Sequence, residues 1–247
     1  MTITCKNCGV HFRGAYCYNC SQKAGTGRLK VSNVLHEFWH NFTHTDKGYM
    51  SLLKAMVLQP GVVIREYIEG KRKKYFSPYT FYLVTTALLI FITNLVYKYE
   101  DKLYKFNNEY GQYLNLHRNY IILCCMPFIA VFLKFIFFRR KYNYAEWVTF
   151  IVFTYGLINF FHIIIQLAYF PLIRYHNASH FEEYLSYFIF FYVLLRFIQP
   201  KKWWEVLQCL FITILIYFLV EWLAQLIALW QWGVPVEKLK LMIKNSF

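Results

Sequence analysis

Negative charge is what this chain has least of. Of its 247 residues, 13 are Asp or Glu against 27 Lys or Arg, and charged residues of both signs make up only 16%. With 58% hydrophobic residues and a mean hydropathy of +0.30, too few polar groups remain to cover an ordinary soluble domain. The division that suits such a chain is one small head and one membrane domain. A secretory leader is lacking as well: Met1 to Cys20 offers no charged start followed by an apolar core, so the N-terminus is expected to stay in a reducing cytoplasm. Also missing are a nucleophile–base pair, a phosphate-cradling glycine loop and a nucleotide motif. These absences rank an enzyme below a binding or transport protein.

What the chain does have begins with cysteine. Cys5, Cys8, Cys17 and Cys20 form two C-x-x-C knuckles separated by eight residues. In a reducing compartment paired thiols point to metal rather than disulfide. Four thiolates at this spacing suit the tetrahedral geometry of a closed structural zinc site. Gly9 permits the tight turn after the first knuckle, and Phe12 and Tyr16 are expected to provide the little apolar packing available. At this size the metal supplies most of the folding free energy. An iron–sulfur cluster, a redox dithiol, or His11 in place of one thiol are the alternatives. Cys124, Cys125 and Cys209 lie in apolar segments and read as small core residues.

A short linker, Ser21 to Lys30, leads to a stretch that Ser32 can cap, with Val34, Leu35, Phe38, Trp39 and Phe42 on one helical face. His36, His40 and His44 share a stripe followed by Asp46. They form either a second metal site or, the better reading, a polar stripe beside an amphipathic face. A further helix is broken at Pro60-Gly61, and the next is stopped by Gly70. Then come Lys71, Arg72, Lys73 and Lys74, two aromatics and Pro78. Four consecutive cations before an apolar run mark a cytoplasmic membrane boundary, drawn to anionic headgroups.

Beyond Pro78 five apolar segments are predicted, at about 80–97, 119–138, 147–170, 184–199 and 206–231, where a span needs about twenty residues. Arg139-Arg140-Lys141 and Lys201-Lys202 fall on the same side as the head, and the other two loops carry offsetting acids. Lys238, Lys240 and Lys244 in the tail disagree, which leaves a flat tail, a re-entrant last segment or a hairpin as alternatives to five crossings. Within the spans, Asn159, His162 and Gln166 share one face, as do Glu221 and Gln225. A His162–Glu221 contact would relay protons or line a polar path; the alternative is hydrogen-bonded glue between helices.

Taken together, Cys5 to Cys20, His44-Thr45-Asp46-Lys47-Gly48, Pro60-Gly61, Tyr67-Ile68-Glu69-Gly70-Lys71-Arg72 and Tyr75-Phe76-Ser77-Pro78 resemble the pattern of a family of bacterial integral membrane proteins of unknown function. That family's pattern joins an N-terminal zinc ribbon to a Pro-Gly…Tyr-x-x-Gly-Lys-Arg…Tyr-x-x-Pro junction ahead of the spans. The likeness covers the first third of the chain. Ser21 stands where a glycine usually follows the second knuckle. The resemblance implies a cytoplasmic ribbon on a membrane protein and brings no substrate or catalytic residue.

The expected fold is therefore an all-α polytopic membrane protein of about five transmembrane helices, with a small zinc ribbon and amphipathic interfacial helices. Its parts are a ribbon (1–24), interfacial helices and basic junction (25–79), a helix bundle (80–232) and a tail (233–247). The cofactor expected is Zn(2+) and the location a bacterial inner membrane with the N-terminus inside. The leading function is an adaptor or assembly subunit that binds a protein partner or a second copy. A transporter, channel or lipid-handling subunit built on His162 and Glu221 comes next, and nucleic-acid binding by the basic head ranks last.

Overall fold

The computed structural model of the protein describes residues 2–30, 48–104, 109–169 and 178–232. The expected helix with His36, His40, His44 and Asp46 lies outside the described residues, as does the tail with its three lysines. Among the described residues the chain forms a two-stranded sheet and seven helices. The strands are β1 (Ile3–Thr4) and β2 (His11–Phe12). The helices are α1 (Gly48–Leu58), α2 (Pro60–Glu69), α3 (Pro78–Tyr104), α4 (Glu109–Ile136), α5 (Tyr144–Tyr169), α6 (Ala178–Ile198) and α7 (Trp203–Trp232).

The predicted boundaries fall where the local chemistry puts them. Pro60 opens α2, where its missing N–H costs nothing. Gly70 ends the same helix at φ 115°, a left-handed conformation. Its N–H donates to the Tyr67 carbonyl, and the next amide, Lys71, donates to that of Glu66. This pair of bonds is the Schellman arrangement, which satisfies two otherwise orphaned carbonyls. Pro78 opens α3 as expected. α5 begins with a feature the segment boundaries had hidden. The Asn143 side chain accepts from the Glu146 amide at 2.9 Å, and Glu146 Oε2 accepts from the Asn143 amide at 2.7 Å. That is a reciprocal capping box.

α5 is the axis of the bundle. It packs against α3, α4, α6 and the junction helix α2, while α7 closes the outside against α4 and α6. Of its apolar stretch 67% is buried within the protein, against 22% for α7. Gly156 lets α3 come close: a Cβ there would lie 2.6 Å from the Phe81 ring. At the ribbon end, Trp147 sits among Phe137, Tyr142, Phe150 and Phe197, with ring centroids 5.5–5.7 Å from its own. Cys125 and Cys209 are buried in this bundle, and Cys124 is exposed.

Three helices are long and apolar enough to cross a membrane, over Pro78–Val96, Tyr144–Ala168 and Trp203–Val220. α4 and α6 carry shorter apolar stretches, Tyr120–Ile136 and Tyr184–Ile198. Phe91, Phe128, Phe135, Phe188, Phe211 and Phe218 project from the outer faces of these helices. A skin of exposed aromatic rings this continuous is ruinous in water and natural in lipid. This is a helical membrane protein.

Candidate functional site

The ribbon is built as two near-copies of one turn. In the first, Gly9 N–H donates to the Cys5 carbonyl and the Cys5 amide to Val10. In the second, Ser21 N–H donates to Cys17 and the Cys17 amide to Gln22. Gly9 has φ 76° and Ser21 has φ 56°, so both turns need a left-handed residue and only one has a glycine. β1 and β2 pair antiparallel, with Ile3 opposite Phe12, and a bridge joins Tyr16 to Lys23.

These turns bring the four thiols together. All four Sγ atoms lie within 4.8 Å of one another, with Cys5 and Cys20 at 3.5 Å and Cys8 and Cys17 at 3.6 Å. Ligands on a tetrahedral zinc at ~2.3 Å would be ~3.8 Å apart, so the cluster has the size of a metal site. The site can hold a metal ion through four sulfurs and leaves no position open. His11 does not share it: its Nδ1 pairs with Thr4 Oγ1 at 3.0 Å on the exposed side of the sheet. The Val10 amide draws the Cys8 thiol down to about 6, whereas burial pushes Cys20 up to about 11. Cys8 and Cys20 therefore hold their protons unequally, and a bound cation would displace both. Phe12 is buried against the cluster as expected, but Tyr16 is not: it is 62% exposed, and Tyr18 78%. A ribbon this small has room for one ring beneath the metal, and Phe12 fills it.

The stretch expected to be a linker is pinned to the bundle. Arg28 makes a two-pronged salt bridge to Glu146, Nε to Oε1 and Nη2 to Oε2, both at 2.9 Å. Glu146 is almost wholly buried, and its bonds to Arg28 raise the arginine's affinity for its proton. Asn143 Nδ2 donates to the Leu29 carbonyl, and Leu29 is fully buried in the main core. Nearer the metal, buried Gln22 donates from Nε2 to the Gly70 carbonyl at 2.9 Å. Arg72 Nη2 donates to the Gly27 carbonyl at 2.8 Å. Gly70 is doubly constrained, since a Cβ there would also lie 2.9 Å from the Lys6 side chain.

α2 is held in turn by the end of α6. A Cβ on Gly61 would overlap the Arg196 carbonyl, so only glycine allows the two backbones this close. One helical turn on, Arg65 Nη1 donates to the carbonyls of Arg196 and Phe197 and covers the exposed end of α6.

The basic run divides. Lys71 and Lys74 both donate to Glu66, at 2.7 and 2.6 Å, and Tyr75 joins them. Burial alone would raise the Glu66 pKa; the three donors outweigh it and hold the carboxyl down at about 2. Lys73 is the base of the four left exposed with only a backbone bond, to Gln22.

Inside the bundle, Asn159 donates to Thr86 Oγ1 at 2.9 Å, and Thr93 donates to Gln166 Oε1 at 3.0 Å, both across to α3. His162 meets α6 instead: Nε2 lies 2.7 Å from Ser186 Oγ and 3.2 Å from the Glu182 carbonyl. Ser186 itself donates to that carbonyl. Both partners can then only accept from His162, so Nε2 carries the proton and the ring is not poised as a base toward the serine. Glu221 and Gln225 fall on α7, and their side chains lie outside the described residues.

The residues that reasoning from sequence overlooked are Arg28, Arg65, Glu66 and Glu146, and Gly61, read as a helix break, proves to be a site of close backbone approach. Asn143-x-x-Glu146 had a capping signature that would have moved the start of α5 and exposed Glu146 as a residue to explain. Against known families, the one described as Protein of unknown function (DUF3667) matches residues 46–90, from just before α1 to the middle of α3. That stretch contains Gly61, Arg65, Glu66, Gly70 and Arg72. No curated protein and no solved structure matches the chain.

Proposed function

We propose that the protein is a membrane-embedded adaptor that presents a zinc ribbon, held in one orientation, to a protein partner. The observation that carries this reading is the two-sidedness of the ribbon. Its inner side is fastened through Gln22, Arg28 and Lys6 to the junction and bundle, while Tyr16 and Tyr18 stand out from its second knuckle. Exposed tyrosines on a rigid mount are favourable anchors for a protein interface, because little side-chain freedom is lost on binding. Four-sulfur coordination at a closed site suits zinc in a structural role. The basic loops Arg139–Lys141 and Lys201–Lys202 share the ribbon's end of the bundle, which supports a bacterial inner-membrane protein with five crossings and a cytoplasmic ribbon. A second copy packed through the exposed faces of α4 and α7 is compatible with the same mount.

The cross-helix bonds of Asn159, His162 and Gln166 favour reading those residues as bundle glue rather than as the lining of a transport path. The adaptor is tested by purifying the intact protein in mild detergent with its associated proteins. A partner retained by the native chain should be lost on Tyr16→Ala/Tyr18→Ala with the metal still bound. Equal recovery with both proteins would overturn the reading.

A further inference from the structure

Between the ribbon and the bundle lies a cleft of about 500 Å³. Three parts of the chain build its walls. Lys6 comes from the first knuckle of the ribbon; Arg28, Ile68 and Glu69 come from the junction; Arg140, Lys141 and Tyr142 come from the loop between α4 and α5. The ribbon contributes to the cleft through Lys6, whose stem rests on Gly70.

The charges in the cleft are not balanced internally. Glu146 is committed to Arg28 and to the Asn143 amide. Among the described residues Glu205 takes one nitrogen of Arg140, at 3.0 Å, and nothing takes that guanidinium's other donors. Among the described residues no carboxylate pairs with Lys6 or Lys141. Of the two carboxylates in the cleft, Glu69 has no described cation. Two exposed lysines and an arginine therefore line a space large enough for a small anion.

The cleft is also placed at the level of the membrane surface. Phe138 is exposed just before the Arg139–Lys141 loop. Trp203 and Trp204 are exposed at the start of α7, with Lys202 over the Trp204 ring. Aromatic side chains of this kind with cations beside them sit at the headgroup layer.

We infer that this cleft is a binding site for a phosphate group, either that of an anionic lipid headgroup or a free phosphate anion. Lys6, Lys141 and Arg140 hold the phosphate oxygens. Glu69 offers an acceptor to a hydroxyl next to the phosphate, as a glycerol headgroup would carry. The site is separate from the tyrosine face of the ribbon and from the Lys71–Lys74 run, so it stands whether or not the adaptor reading does.

The test uses the full-length, metal-loaded protein in a non-ionic detergent, titrated calorimetrically with dihexanoyl phosphatidylglycerol and separately with inorganic phosphate. Lys6→Gln/Lys141→Gln should weaken binding by roughly a hundredfold, since each of the two lost charge-assisted contacts is worth about tenfold. Lys73→Gln, which removes an exposed base outside the cleft, should leave binding unchanged. Loss confined to the lipid identifies a headgroup site; loss of both probes, or of phosphate alone, identifies recognition of the bare anion. Metal content and thermal unfolding of each variant are measured alongside, and Lys141→Gln alone serves if the double variant does not fold. No binding by the native protein, or equal weakening by Lys73→Gln, would overturn the assignment.

Discussion

The ribbon and the bundle solve the same problem by opposite means. The ribbon buries Cys5, Phe12 and Cys17 and little else, so its fold depends on what its four thiols can hold. The bundle buries a continuous core from Leu29 to Ile216, dense in aromatic rings, and pairs Asn159 and His162 across helices. Between them the junction shares in that core through Leu52, Met56, Ile64 and Tyr67 and adds a third device. It relies on the close backbone approach at Gly61, the left-handed turn at Gly70 and long-range pairs such as Arg28–Glu146. The difference teaches that the two ends can be broken independently, while a break in the junction separates them with both still folded.

Chelation of the metal, or Cys17→Ser, should have the largest effect. The ribbon unfolds and its Lys6 and Gln22 contacts go with it, while the helical circular-dichroism signal stays near its native value. A parallel loss of helix would show that the bundle depends on the ribbon. Gly61→Ala comes next, since the new methyl meets the Arg196 backbone, which cannot yield; about 3 kcal/mol of destabilisation is expected. Thermal unfolding measures it, and Gly48→Ala, which meets only ordinary contacts with Phe76, is the control. Glu146→Gln removes the buried half of a part-exposed ion pair and should cost about 1–3 kcal/mol, read as faster proteolysis between residues 20 and 30 with the spans intact.

The Glu66 cluster sharpens the comparison through pH. Its carboxyl titrates at about 2 when folded against an ordinary 4.5, so the unfolded chain binds protons more readily. The stabilisation is fully present above about 4.5 and is lost as pH falls toward 2. Glu66→Gln should flatten that part of the acid-denaturation curve, and an unchanged curve would show that another acid dominates. Smallest, and opposite in sign, is Ser21→Gly: releasing a left-handed serine should stabilise the ribbon by about 1 kcal/mol, seen as a higher concentration of chelator needed to unfold it.

What was legible in the sequence was local. The two knuckles, the Pro60 break, the Gly70 stop and the Pro78 start are each decided within a few residues, and each is where it was expected. The five apolar segments match α3 to α7 because period and length are local too. Arg28 and Glu146 are 118 residues apart, and Arg65 and Arg196 are 131 apart, so no window along the chain contains either pair. The run Lys71–Lys74 carries a pairing that the sequence hides for the opposite reason. Four cations in a row read as one surface patch, yet a helix ending at Glu69 turns Lys71 and Lys74 back onto Glu66. Tyr16 was expected inside because it is aromatic, and the size of the ribbon decided otherwise.

The contact between Gly61 and Arg196 has a consequence for how the molecule is made. A chain grows from its N-terminus at about 5–20 residues per second. α2 therefore leaves the ribosome on the order of ten seconds before the segment it must rest on has been synthesised. Through that interval α2 lacks the end of α6 that it closes against, although the ribbon's own partners at Gly70 and Glu146 are made earlier. The seating of α2 on α6 is therefore a late step, and it fixes the junction only once most of the bundle has been made.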